Sequence, residues 1–293
     1  MSQTAEKISI LPAPARAAGP MSHYNQCLRA SFGQSLMLML RRQRVILAAA
    51  IAMLPVLIPL AMAFLSSNHA GDSGLDVFTR LAREAHVGVL APLLALFFAT
   101  MIVGEDVEGR TIPLMLTRPM PRSAWVLGRY AAYLLVSGAI LGSSLFLTFA
   151  ASTALPDLAF DSDGLGRLAA NEFAMFMALA ANGAFALFLG AVTRRPIIIG
   201  VLVLYGWQRI AVTVPGIVDF LTILKYTNEL LPAAVQATTE AAREELTTFR
   251  RQVYYVGAGK AALALIAISA AFLAASVWVV RIREYATDRA AGS

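Results

Sequence analysis

The chain has 293 residues, 58% hydrophobic and only 14% charged, where a soluble domain carries about a quarter charged residues. That excludes an ordinary soluble globular protein and places the chain in the membrane class. The net charge of +6 does not mark a nucleic-acid binder, because the arginines sit at the ends of apolar blocks and form no patch interleaved with aromatics.

In chain order, residues 1–21 are rich in Ala, Pro and Gly, lack an apolar core of signal-peptide length, and read as a disordered cytosolic tail. Cys27, the one cysteine, can form no disulfide within the chain. Residues 22–44 mix Gln26, Arg29 and Gln34 with Leu28, Phe32, Leu36 and Met39. Two readings fit: an amphipathic connecting helix lying on the inner leaflet, or an extension of the first span into water.

Residues 45–280 contain six blocks that meet the spanning length, at 45–65, 87–103, 124–151, 173–192, 197–214 and 256–280. A crossing needs about 20 apolar residues. Pro55 and Pro59 fall inside the first block, where neighbouring helices can satisfy the carbonyls they free. With the N-terminus inside, the cytosolic segments hold Arg41, Arg42 and Arg44, then Arg110, Arg118, Arg122 and Arg129, then Arg194 and Arg195, then Arg281, Arg283 and Arg289. The opposite loops hold Arg80, Arg83 and Arg167 among Asp72, Asp76, Glu84, Asp157, Asp161 and Asp163. Basic residues collect on the cytosolic side, so the expected fold is an all-α integral membrane protein with six spans and both termini cytosolic. An external insertion covers 215–255, with Glu240, Arg243, Glu244, Glu245 and Arg250 at helical spacing inside 230–252. Residues 281–293 form a cytosolic tail.

The second cytosolic loop, 104–123, breaks the apolar pattern with "GEDVEGRTIPLMLTRPMPRS". Thr111 suits the N-cap of a short helix starting at Ile112. Pro119 and Pro121 push the residues before them out of the helical region, and Ser123 can cap the next helix. A stiff loop therefore carries Ile112, Leu114, Met115 and Leu116 at its tip, surrounded by charge. Such an apolar cluster usually marks a binding surface. The blander alternative leaves the arginines as topology determinants and dips the tip into the bilayer surface.

Polar residues within the spans are few. Arg209, beside Gln208, is a pathway or dimer-interface residue or else snorkels to the outer headgroups. Asn182 suits an interhelical hydrogen bond, and Gly138 and Gly142 form a G-x-x-x-G that permits close helix packing. The three histidines are scattered, and neither an H-E-x-x-H nor a G-x-x-x-x-G-K-[ST] phosphate loop occurs. No catalytic residue, metal site or directly bound cofactor is expected.

The run from Glu105 through "EGRTIPLMLTRPMPRSAWVLGRY" resembles the cytosolic loop of type-2 ATP-binding-cassette (ABC) permeases, closest to the group associated with multicopper-enzyme maturation. Glu105, Glu108, Gly109, Thr111, Leu114, Leu116, Arg118, Pro119, Arg122, Gly128 and Arg129 fit the family's places, while Arg110 separates its usual Gly-Thr pair. The resemblance implies a bacterial inner-membrane permease subunit that exports or extracts a substrate. It implies a second permease copy and a separate nucleotide-binding subunit that holds ATP and Mg. The docking set would be Glu105, Glu108, Gly109, Arg110, Thr111, Ile112, Leu114, Met115, Leu116, Arg118, Pro119 and Arg122. The alternative is a mechanotransmitter or membrane anchor that passes ATP-driven motion to an external or periplasmic partner through the segment 230–252 of the insertion.

Overall fold

The computed structural model describes residues 20–65, 73–100, 121–193, 195–213, 217–232 and 256–282. These residues are almost entirely helical, and no strand occurs among them. We number the helices α1 (Pro20–Met39), α2 (Arg42–Leu65), α3 (Gly74–Ala99), α4 (Arg122–Ser152), α5 (Ser162–Val192), α6 (Pro196–Ala211), α7 (Ile223–Leu230) and α8 (Ala258–Ile282).

Five of them, α2, α3, α4, α5 and α8, are long and apolar enough to cross a membrane. The molecule is a multi-pass, all-α membrane protein. The fifth block expected from sequence, 197–214, is helical from Pro196 to Thr213, the last residue described before position 217, and it is apolar from Pro196 to Ala211. The second block differs: its helix begins at Gly74, well before position 87, because Asp76, Arg80, Arg83 and Glu84 all lie on the same continuous helix.

α5 is central and packs against α8, α4, α3 and α7. The G-x-x-x-G of α4 forms part of its seat. A Cβ on Gly138 would lie 3.6 Å from the Phe176 ring, and one on Gly142 would lie 3.3 Å from Glu172 Oε2. Tyr133 and Tyr130 of α4 donate to the carbonyls of Leu179 (3.0 Å) and Ala180 (2.9 Å). Gly183 lies directly under the Tyr133 ring, with no room for a side chain. At the opposite end of the bundle Phe149 stacks edge-on against Phe78 of α3 and Phe160, at 5.2 Å each.

Prolines break the regular hydrogen bonding of two helices, and neighbours repair it. At Leu54–Val56 the Val56 N–H turns to Met53 O (3.1 Å), forming a 3-10 turn. That leaves Ala52 O without its helical donor, and Ser144 Oγ of α4 donates to it. The buried His86 of α3 places Nε2 3.0 Å from the same hydroxyl. In α3, π-helical from Leu81 to Leu90, Pro92 has no N–H to donate to the turn before it. Arg209 of α6 donates to Gly88 O in that turn at 3.5 Å, and Tyr205 donates to Val89 O at 2.6 Å. An apolar surround makes an unsatisfied carbonyl costly, so neighbouring side chains fill the gaps.

The short α4–α5 connection fixes the ends of the bundle. Gly74 N–H, at the start of α3, donates to Pro156 O (2.7 Å), so that end gathers Asp76, Asp157, Asp161 and Asp163. The start of α4 therefore lies at the other end, with the start of α2 and the close of α8. That end gathers Arg41, Arg42, Arg44, Arg122, Arg129, Arg195 and Arg281.

Candidate functional site

The loop between α3 and α4 carries most of the predicted docking set. Glu105, Glu108, Gly109, Arg110, Thr111, Ile112, Leu114, Met115, Leu116, Arg118 and Pro119 lie outside the described residues. Its exit is described, and there the chain is tied to two other helices.

Pro121 is extended (φ −60°, ψ 122°) and occupies the N-cap position of α4; Arg122 is the first helical residue. Ser123, expected as the cap, is instead inside the first turn. No side chain caps the first turn, and the proline ring fixes φ at the entry to the helix. Arg122 reaches across to the far end of α8, where Nη1 donates to Val280 O (2.8 Å) and Arg281 O (2.5 Å). These carbonyls belong to the last described turn of α8.

One turn further, α4 meets α1. Ser31 Oγ donates to Trp125 O (2.9 Å). Gly128 sits so close that a Cβ would come within 2.8 Å of Leu28 O and 3.0 Å of Phe32 N. Arg129 is 1% exposed and its guanidinium lies 4.2 Å from the centre of the Trp125 ring, a cation–π contact. The tail of the motif, Gly128 and Arg129, thus has a packing reason: glycine admits the α1 backbone, and the arginine is buried against Trp125. The loop exit, α1 and the end of α8 form one junction.

The predicted pathway residues are separate from that junction. Arg209 pairs with Glu84 of α3 at 3.3 Å, with both side chains partly exposed, besides its bond to Gly88 O. It ties α6 to α3 in the turn that precedes Pro92. Gln208 is buried. Asn182 is buried too, but Nδ2 donates to Ala178 O of its own helix (2.8 Å), so the expected bond to another helix is replaced by a local one. Among the described residues no cluster of three His, Cys, Asp or Glu could hold a metal ion.

One feature escaped the sequence reading. The described part of the insertion, 217–232, folds back on the bundle: α7 packs against α5 and α8, with Ile223 against Ala181 and Leu265. Thr222 caps α7, accepting from Lys225 N (3.3 Å). Lys225, 5% exposed, pairs with Asp219 at 2.6 Å and lies 4.9 Å from the Phe220 ring. The signal available was the cap, Thr222, ahead of an amphipathic turn; the apolar face was too short to stand out. The helix expected within 230–252 falls mostly outside the described residues.

One protein-family model, described as Protein of unknown function (DUF2705), matches residues 38–286. No curated protein matches the chain. The match spans most of the sequence, and the chain belongs to that family.

Proposed function

We propose that this member of the DUF2705 family is the membrane-spanning permease subunit of a type-2 ABC transporter, powered by a separate ATPase. In this reading α6 completes a set of six spans, both termini and the loop 101–120 face the cytosol, and two permease copies pair in the membrane. The arginine-rich end of the bundle supports that orientation, since basic residues favour the cytosolic side.

The observation that carries the reading is the junction at the loop exit. A loop that receives force from a docked ATPase must pass it on to the helices. Here one residue after Pro121 is hydrogen-bonded to the end of α8, and the next turn is locked to α1. A push on the loop would move the first and last described helices together. ATP would shift the equilibrium by binding one state of the ATPase pair better than the other. The chain has no phosphate-binding loop of its own, which agrees with that division of labour.

The test changes Leu114 and Leu116 to Asp in the full chain and isolates the complex from its native membrane. The expected result is loss of the co-purifying ATPase while the permease still assembles. An ATPase that stays bound and still responds to the permease overturns the docking role.

A further inference from the structure

An open groove of about 790 Å³ runs along the outside of the bundle between α4 and α8. Ala270 and Ala274 lie along it, Leu127 and Leu273 are among its walls, and Trp278 and Arg281 stand at its end. From Ala270 to Arg281 the groove follows α8 for about 16 Å, at 1.5 Å per residue. That is half the roughly 30 Å hydrocarbon thickness, the depth of a single leaflet. A groove of this length, apolar throughout and closed by an aromatic and a cation, has the dimensions of one lipid tail below one headgroup.

We infer that the groove binds an acidic phospholipid of the leaflet at the arginine end of the bundle, its acyl chain along the alanines and its phosphate beside Arg281. Charge decides the headgroup. Arg122 brings a second guanidinium to the same helix end, where it donates to the carbonyls of Val280 and Arg281. Among the described residues neither arginine pairs with a carboxylate, and the described acids Asp76, Asp157, Asp161 and Asp163 lie at the opposite end. Basic pockets between membrane helices take anionic headgroups for this reason. Trp278, 64% exposed, lies one turn below Arg281, the depth at which tryptophan favours the membrane interface. A second copy of the chain is the competing occupant, but it would have to bury Arg281 without an acid from the described part of this end. The inference needs only the membrane setting and does not depend on the transport reading.

Trp278 is also the probe. Full-length protein is reconstituted in two vesicle sets of identical headgroup composition, mostly phosphatidylcholine with a minority of phosphatidylglycerol. Bromine is carried on the acyl chains of the phosphatidylglycerol in one set, and on an equal amount of phosphatidylcholine in the other. The fluorescence quenching lost in Trp278→Phe isolates the Trp278 signal from Trp125 and Trp207. We expect brominated phosphatidylglycerol to be enriched about fivefold at Trp278, Arg281→Gln to remove the preference, and Arg42→Gln to keep it. Ala274→Leu, which fills the groove, should lower quenching by both lipids. Equal quenching by the two lipids in the unmodified protein overturns the inference, as does a preference that survives Arg281→Gln. Absence of quenching by either lipid means that protein covers the groove, and also overturns it. The comparison in the unmodified protein decides the matter even if a variant folds poorly.

Discussion

Arg122 and Val280 lie far apart in the chain, yet the guanidinium of the first donates to the carbonyl of the second at 2.8 Å. The bond joins the first residue of α4 to the last turn of α8, so the exit of the loop and the end of the bundle move as one. Arg122→Ala is expected to loosen α4 from α8 and lower stability by about 1 kcal/mol, the net worth of a hydrogen bond. Thermal unfolding in detergent measures it. In the assembled complex the same variant should retain ATPase binding while weakening the permease's effect on hydrolysis; unchanged stimulation would remove Arg122 from the coupling route.

Gly128 makes a sharper test of the α1–α4 contact. Any Cβ there meets the α1 backbone, so Gly128→Val should pry α1 away at a cost of about 1–3 kcal/mol. Cys27 lies on α1 and is the chain's one thiol, partly buried. Its labelling rate by a membrane-permeant maleimide should rise in Gly128→Val and stay unchanged in a substitution of the exposed Leu135 on the same helix. A rate that does not move would mean that α1 tolerates the side chain.

Pro92 and Arg209 should be energetically coupled. Arg209→Ala removes a donor from the turn of α3 that Pro92 leaves one N–H short, whereas in Pro92→Ala the restored N–H can serve that turn. The expected coupling is about 1 kcal/mol, the net worth of a hydrogen bond, with Arg209→Ala milder in the Pro92→Ala background. Additive effects in the four-member cycle would show that Arg209 does not repair the gap.

Ser144 serves the other break. Ser144→Ala removes the donor to Ala52 O and a partner of His86, and should destabilise by about 1–3 kcal/mol because the groups left behind are buried. Ser144→Thr keeps the hydroxyl and should recover much of that loss. An Ala variant as stable as the natural chain would place the bond outside the forces that hold α2.

Lys225 is buried in its pair with the partly exposed Asp219, so breaking the pair should cost more than replacing it. Lys225→Ala is expected to lose about 3 kcal/mol, whereas the double change Lys225→Met with Asp219→Leu should lose much less. Denaturant titration of the three proteins distinguishes the cases, and equal losses would contradict the burial of the pair.

The sequence by itself determined that the chain is helical and lives in a membrane. Runs of apolar residues near the spanning length leave the backbone no partner except itself, and that constraint is local. It also marked the break in α2 through Pro55 and the arginine-rich side of the chain. The tertiary structure decided what the polar exceptions do. Nothing near Arg209 in sequence points to Glu84 or to the Gly88 carbonyl, nothing near Gly128 points to Leu28, and α7 was too short for periodicity to distinguish it from a loop. Each depends on a partner distant in the chain, because a buried polar group takes its meaning from whichever helix the packing brings beside it.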